Sequence, residues 1–172
     1  EGRTEAETVH GLQLWISLPA KDKFIEPDFF HYSKSTLPEF DHKGATIKVI
    51  CGELWGYISP VVSSSPAYIY EVKLPAGTEL TLPISSGNTC GIYLVEGEAV
   101  SGENTLFPAT MTRYTEEGES VSVTAVTDSH FVILGGQPLH EPIVPYASFV
   151  MNSQQQIQQV ILDYQSGKMG QL

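Results

Sequence analysis

The feature that most constrains this chain is a long series of short apolar segments separated by turn-forming residues. Between residues 45 and 134, segments rich in Val, Ile, Tyr and Thr are interrupted by Gly, Pro, Ser and Asn, as at 75–77 and 85–88. Short apolar segments at this regular spacing are typical of antiparallel strands. The pattern predicts an all-β sandwich or barrel and not alternating βαβ units. The predicted strands cover residues 47–51, 55–58, 67–74, 78–82, 91–95, 99–100, 105–107, 111–114, 120–125 and 131–134.

The region before this series predicts a separate strand and a connector. Leu12, Leu14, Ile16 and Leu18 occupy every second position, the period of a strand with one buried face, and Pro19 ends the pattern. Residues 20–44 show little periodicity but contain several aromatic side chains. We therefore expect a strand over 12–18, followed by an ordered connector whose aromatic residues pack against another part of the protein.

The C-terminal region predicts a helix. Ile157, Val160, Ile161 and Tyr164 lie at positions i, i+3, i+4 and i+7, which places them on one apolar face. Asn152 is the expected N-cap, the helix runs from about 153 to 164, and Gly167 is expected to close it.

Charge and composition exclude several classes of protein. Of the 172 residues, 41% are hydrophobic and 17% are charged, so wholesale disorder is not expected. The net charge is −11 and basic residues are not clustered, which argues against direct nucleic-acid binding. No apolar run is long enough for a membrane span, and no basic-then-apolar leader is present. Cys51 and Cys90 have no metal-ligand spacing and are expected to be buried thiols, so a soluble cytoplasmic protein is predicted.

Three stretches together resemble the pirin family. They are Gly-Leu-Gln-Leu-Trp-Ile-Ser-Leu-Pro-Ala at 11–20 with Ile-Glu-Pro at 25–27, Leu-Gly-Gly-Gln-Pro-Leu-His-Glu-Pro at 134–142, and Phe-Val-Met-Asn at 149–152 with the helix that follows. The resemblance implies a bicupin, in which two β-barrel-like domains face one another. It also implies that the N-terminal cupin of the full-length protein holds Fe(II) through three His and one Glu. Members of this family are quercetin dioxygenases or iron-dependent transcriptional co-regulators that act through protein partners.

The family's metal ligands have no matching positions in this chain. In pirins they lie in a His-x-His pair and a later His-x-Glu, all before the Gly-Leu-Gln-Leu-Trp segment. Only residues 1–10 precede that segment here, and His10 lies where the family has no ligand. The resemblance therefore identifies the chain as the C-terminal portion of a pirin that lacks the N-terminal iron-binding segment.

The second cupin offers no metal site of its own. A cupin would place two His residues just after 75–77, but residues 78–83 contain none, and neither do residues 107–110, where a later His would lie. The five histidines, His10, His31, His42, His130 and His140, are scattered over flanks and loops. We therefore predict no catalytic, cofactor-binding or metal-binding residue in this chain.

Two other features could suggest a site. Residues 41–43, Asp-His-Lys, are interpreted as a solvated turn. Trp15 and Trp55 could stack on a flavonoid, but tryptophan more often fills a core or an interface.

These observations predict an all-β, cupin-type double-stranded β-helix with a C-terminal α-helix and an N-terminal strand that belongs to a second, incomplete cupin. The expected divisions are 1–44 for that strand and the connector, 45–145 for the C-terminal cupin, and 146–172 for the helix and tail. The strand needs a partner, which is the missing N-terminal cupin, a second copy of the chain in a swapped homodimer, or the flank of the C-terminal cupin.

Three functional hypotheses remain. The chain is the non-catalytic half of an Fe(II)-dependent quercetin 2,3-dioxygenase-like parent, part of an iron-dependent co-regulator that binds a protein partner, or a metal-free domain that is inactive alone. For the chain itself we favour the inactive domain, and for its parent the dioxygenase.

Overall fold

A computed structural model describes residues 11–169 as a two-layer antiparallel β-sandwich followed by one helix. The predicted all-β fold with a C-terminal helix is confirmed. No helix in this range is long and apolar enough to cross a membrane. The elements are β1 (Glu39–His42), β2 (Ala45–Cys51), β3 (Glu53–Leu54), β4 (Tyr57–Ile58), β5 (Ala67–Leu74), β6 (Glu79–Pro83), β7 (Thr89–Glu96), β8 (Ala99–Ser101), β9 (Asn104–Leu106), β10 (Thr110–Arg113), β11 (Ser120–Ala125), β12 (Ser129–Gly136), β13 (Val144–Tyr146), β14 (Phe149–Met151) and α1 (Gln154–Gln165).

Two sheets form the layers. The larger sheet has six strands in the order β1-β2-β5-β12-β7-β10, and the smaller has four in the order β6-β11-β8-β9. The smaller sheet follows the simple rule of a half-buried strand, because Leu80 and Leu82 on β6 and Val121 and Val123 on β11 point inward and alternate with more exposed residues. The central strands of the larger sheet are buried on both faces, which already suggests that its outer face is covered.

The hydrophobic core lies between the two sheets. Aromatic and branched aliphatic side chains meet there with almost no solvent exposure. The fully buried ones include Ile47, Val49, Val72, Leu74, Leu80, Leu82, Ile92, Leu94, Leu106, Val123, Phe131 and Ile133. Burying a side chain of this size contributes roughly 1.5–3 kcal/mol, so this cluster dominates the stability of the sandwich.

The turn between β7 and β8 requires a glycine. Gly97 has φ +90°, and a Cβ at this position would lie 2.7 Å from Ser129 Oγ and would also collide with the Asp128 carbonyl oxygen. The Glu-Gly-Glu sequence at 96–98 thus marks a tight backbone approach and not a charged site.

Residues 12–18, predicted as a strand of a second cupin, pair with no strand within residues 11–169. Residues 11–19 belong to no sheet, and Leu14 and Ile16 are 41% and 42% exposed while Trp15 is 67% exposed. The expected buried face does not form because a strand requires a neighbour for its N–H and C=O groups, and residues 11–169 provide none here. One backbone group is satisfied differently, since Ser65 Oγ donates to the Ser17 carbonyl oxygen at 2.6 Å.

The stretch over 20–44, predicted as a connector, contains a strand that the sequence did not reveal. Residues 20–44 include two short 3₁₀ turns, Ala20–Asp22 and Lys34–Thr36, and then β1, which pairs antiparallel with β2. The Asp-His-Lys turn at 41–43 therefore belongs to a hairpin, in which Lys43 and Gly44 both have positive φ. Of the four residues of β1, only Phe40 is apolar. A search for alternating apolar residues therefore does not find this strand.

The C-terminal region adds a small hairpin and the predicted helix. β13 and β14 pair antiparallel, and α1 packs on them through Ile157 and Val160, which are 3% and 1% exposed. The N-cap is Ser153 and not Asn152, because Ser153 Oγ accepts from the Gln156 N–H at 3.2 Å. The predicted closure at Gly167 is confirmed by its φ of +76° and by the Lys168 N–H bond to the Asp163 carbonyl.

Candidate functional site

The interior of the sandwich is hydrocarbon at the place where a cupin would carry a His pair. Leu80 and Leu82 on β6 are both 0% exposed, and they lie opposite Val123 and Val121 of β11. Leucine side chains offer no donor atom to a metal. Residues 107–110, where a later His would lie, form a turn on which Phe107 is 61% exposed.

The histidines of the described range lie apart from one another. His31 and His140 are exposed in loops, His42 is on β1, and His130 is on β12. Within residues 11–169 no three His, Cys, Asp or Glu side chains are grouped so that they could hold a metal ion. His10 lies outside the described residues. The residues that are described do not fit the Fe(II) that the family resemblance implies for the full-length protein.

Both cysteines are buried and free. Cys51 is 3% exposed and Cys90 is 6% exposed, and they belong to different hydrophobic clusters. Burial raises the pKa of both thiols above their ordinary value, which keeps them protonated. A neutral, inaccessible thiol is a poor nucleophile and a poor metal ligand, so neither cysteine suits catalysis.

The outer face of the larger sheet is apolar, although it lies away from the core. Cys51, Ile69 and Val132 form a second buried cluster there, and Ile50, Val61, Val95 and Leu134 pack against it. We call this surface the outer face. An antiparallel sheet with one wet face would carry polar residues at these positions. Such a face needs cover, and residues 11–14 supply part of it by lining a groove of about 290 Å³ with Ile69, Val132 and His130.

A chain of charges crosses the outer face. Lys48 Nζ lies 2.9 Å from Glu71 Oε2 and 3.0 Å from Glu39 Oε2, and His130 Nε2 lies 2.9 Å from Glu71 Oε1. Burial opposes the ionisation of Glu71, but the hydrogen bonds and charges of Lys48 and His130 outweigh it and lower the pKa of Glu71. Burial likewise opposes the charge on Lys48, but Glu71 and Glu39 outweigh it and raise its pKa.

Sequence reasoning missed this charge chain. The residues come from four strands and meet through strand pairing. Lys48 pairs with Glu71 on one side and with Glu39 on the other. His130 pairs with Lys73, two positions along β5 from Glu71. The available signal was the occurrence of single charged residues within otherwise apolar strands, because a charge in such a place is usually paired.

The segment that follows residue 11 exposes many large apolar side chains. Trp15, Phe24, Phe29 and Phe30 are 67%, 54%, 85% and 63% exposed. We call residues 11–30 the apolar connector; they include the first part of the connector predicted over 20–44. Trp15 lines a groove together with Ile69 and Leu134 of the outer face, so part of the apolar connector lies directly beside that face.

Comparison with known sequences identifies the family. Residues 69–170, more than half of the chain, match the family described as the pirin C-terminal cupin domain. The chain belongs to the pirin family. This pirin-family chain is 35% identical to human pirin over 169 residues, which is 95% of the chain but 58% of human pirin. It is 37% identical to a pirin-like protein of Solanum lycopersicum, again over 95% of the chain and 57% of the relative.

A solved structure agrees with this assignment. The crystal structure of a quercetin 2,3-dioxygenase from Acinetobacter baumannii superposes with a TM-score of 0.86 and 32% sequence identity, covering 91% of this pirin-family chain and 55% of the Acinetobacter chain. The predicted cupin-type fold and the predicted family are therefore confirmed. The chain spans little more than half the length of the relatives that it matches.

Proposed function

We propose that this chain is the metal-free cupin of a two-cupin protein whose other cupin carries Fe(II) and whose activity is that of a quercetin 2,3-dioxygenase-like enzyme. The observation that carries the proposal is the burial of Leu80 and Leu82 at 0% exposure, where a metal-binding cupin needs histidines. These side chains are part of the core, so the interior is built for stability and not for chemistry.

The outer face and the apolar connector also support the proposed two-cupin arrangement. They expose or thinly cover hydrocarbon that a monomeric domain would bury or replace by polar residues. The matched relatives are longer, and this chain covers 58% of human pirin. The occupant that we propose for this surface is the iron-bearing cupin of the same polypeptide. A second copy of the chain, in a swapped homodimer, is the alternative occupant.

The likeness to the Acinetobacter baumannii quercetin 2,3-dioxygenase supports an oxidative enzyme as the parent, at 32% identity over most of this chain. In that arrangement the present domain supports and positions the iron-bearing cupin and takes no direct part in the reaction. If the parent instead regulates transcription, the same surface would contact the iron-bearing cupin of the same polypeptide. The enzyme would consume quercetin and the regulator would not.

Iron loading tests the metal-free assignment. The chain is incubated anaerobically with Fe(II), desalted and analysed for iron, with the Acinetobacter enzyme treated in parallel as the positive control. We expect no retained iron and no oxygen-dependent loss of quercetin, because no described group of side chains can hold the ion. Near-stoichiometric iron in the chain would overturn the proposal.

Trp15 fluorescence tests the docking surface. In a Trp55→Phe background Trp15 is the only tryptophan, and its 67% exposure predicts emission typical of a hydrated indole. When an iron-binding cupin precedes the chain in the same polypeptide, we expect the emission to shift to shorter wavelength. A shift that instead depends on the concentration of the chain alone would identify the second copy as the occupant. Quercetin turnover by the longer protein separates the enzyme from the regulator.

A further inference from the structure

A cavity opens at one end of the sandwich, away from the outer face. It has a volume of about 440 Å³ and lies between the β3–β4 hairpin and the loop that joins β6 to β7. Pockets for small organic ligands are roughly 300–1,000 Å³, so this cavity is large enough for a compact molecule. Leu54 and Ile84 of its lining are 3% and 8% exposed and belong to the hydrophobic core, so the cavity lies directly against the end of that core.

Two tyrosines form the floor of this end cavity and are held in place. Tyr68 Oη donates to the Thr89 carbonyl oxygen at 2.8 Å, and Tyr70 Oη donates to the Glu53 carbonyl oxygen at 2.6 Å. Their ring centroids are 5.4 Å apart with an interplanar angle of 25°. Burial, with smaller contributions from Cys51 and Glu53, raises the pKa of Tyr70 to about 12, so this phenol stays a neutral donor. The floor is therefore a preorganised aromatic surface.

Trp55 forms one wall and is supported from behind. Its indole centroid lies 4.0 Å from that of the His42 ring and 6.1 Å from that of Phe40, which in turn stacks on Tyr57 at 3.9 Å. Trp55 also has φ +51°, an uncommon conformation for a residue with a bulky side chain. Gly56 has φ +86°, and a positive φ at both residues of a two-residue loop is typical of a type I′ hairpin turn, so the turn fixes the position of the indole at the cavity.

The charge of the end cavity has one sign. Glu53 and Glu119 line it, together with the polar groups of Ser85, Ser86 and Asn88. Within residues 11–169, no Lys, Arg or His side chain lines this cavity, and neither carboxylate forms an ion pair. The two formal charges that line the cavity are therefore both negative, in a chain of net charge −11.

We propose that this end cavity binds a compact organic cation, an ammonium group carried on an apolar body, between Trp55, the two tyrosines and the two carboxylates. Aromatic faces attract an ammonium group through the ring quadrupole, and carboxylates attract it through charge. The apolar body replaces water over Leu54 and Ile84. A bare divalent cation would not be held, because the described residues provide no group of three suitable ligands.

Tryptophan fluorescence provides the test. In a Trp15→Phe background Trp55 is the only tryptophan, so quenching or a shift reports on the end cavity. The probe is benzyltrimethylammonium, compared with the neutral benzyl alcohol and the anionic 3-phenylpropionate. We expect saturable binding of the cation, binding of the alcohol at least about tenfold weaker, and no binding of the anion.

Charge-neutral variants decide whether the carboxylates matter. Glu53→Gln with Glu119→Gln keeps the shape of the cavity and should weaken benzyltrimethylammonium binding about tenfold. The matched control is Glu79→Gln with Glu103→Gln, which removes the same charge from exposed residues outside the lining and should change binding less than twofold. Thermal unfolding of each variant verifies that it is folded.

A second readout uses calorimetry with Trp55→Leu, which should weaken cation binding while leaving the carboxylates in place. The proposal is overturned if the cation and benzyl alcohol bind equally well, if the Glu53/Glu119 variant binds as tightly as its control, or if no cation binds. These results are independent of iron content and quercetin turnover, so they leave the proposed function untouched.

Discussion

At the scale of single residues, Gly135 shows how closely the central strands approach one another. It lies on β12, opposite Tyr68 of β5 and Cys90 of β7. A Cβ built on Gly135 would lie 2.7 Å from Tyr68 Cζ and would also collide with the Tyr68 hydroxyl and the Thr89 carbonyl oxygen. The hydrogen bond between these two groups fixes the floor of the end cavity, so Gly135 leaves the space in which it forms.

We predict that Gly135→Ala destabilises the protein by about 1–3 kcal/mol, because the added methyl group forces backbone and tyrosine apart. Denaturant unfolding followed by circular dichroism measures the change. Gly11→Ala is the control, since nothing lies within 4 Å of a Cβ at that position. Equal free energies of unfolding for both variants would contradict the close approach.

Glu71 predicts a pH dependence of stability. Its pKa in the folded protein is below the ordinary value of 4.5, so its ionised form is favoured by folding. This contribution is fully present above pH 4.5 and is lost as the pH falls through the folded pKa. We expect Glu71→Gln to cost about 1–3 kcal/mol at neutral pH, and much less in acid.

Urea unfolding at neutral pH and well below pH 4.5 measures this difference. The exposed Glu103→Gln variant is the control and should match the parent chain at both values. A Glu71→Gln cost that stays constant with pH would mean that the charge chain on the outer face does not stabilise the fold.

At the scale of elements, strands in the middle of the chain could be predicted far better than those at its ends. The predicted bounds 67–74 and 120–125 agree with β5 and β11, because turn residues mark both ends of each segment. The alternating residues 12–18 form no strand, because periodicity reports which side chains could share a face but does not supply a neighbouring strand. β13 was not predicted, because proline, which occurs at 138, 142 and 145, has no N–H to donate to a neighbouring strand.

The N-cap of α1 gives a prediction for that element. Ser153→Ala should lower helix stability by about 1 kcal/mol, because the Gln156 N–H loses its acceptor. Faster amide hydrogen exchange over residues 154–165 measures the loss. Ser148→Ala, in the turn between β13 and β14, is the control and should leave this exchange unchanged. If both variants exchange alike, Ser153 does not stabilise α1.

Asn152, which the sequence suggested as the cap, has a different task. Its side-chain amide donates to Glu141 Oε2 at 3.1 Å and to the Pro142 carbonyl oxygen at 3.0 Å. The same Glu141 oxygen accepts from the Ala20 N–H at 2.8 Å. Glu141 thus joins the three stretches that carry the pirin resemblance, which are far apart in sequence.

At the scale of the whole molecule, the sequence predicted the sandwich, the helix and the family, but neither of the two surfaces proposed for binding. Alternating apolar residues indicate that one face of a strand is buried, but they do not identify what covers it. The second apolar face of the larger sheet therefore could not be recognised from β5 or β12 alone. The end cavity escaped prediction for a similar reason. Trp55, Tyr70 and Glu119 come from distant segments and meet only in the folded chain.

The bond between Ala20 and Glu141 also bears on the order of events during biosynthesis. The two residues are 121 positions apart, so the acceptor of the Ala20 N–H emerges long after its donor. At usual bacterial or eukaryotic elongation rates this delay is roughly 6–25 seconds. During that interval the segment has only its earlier contacts, such as the bond from Ser65 Oγ to the Ser17 carbonyl oxygen, and Trp15, Phe29 and Phe30 are exposed. The exposed aromatic residues of the apolar connector are therefore synthesised well before Glu141, whose side chain completes the hydrogen bonding of that segment at Ala20.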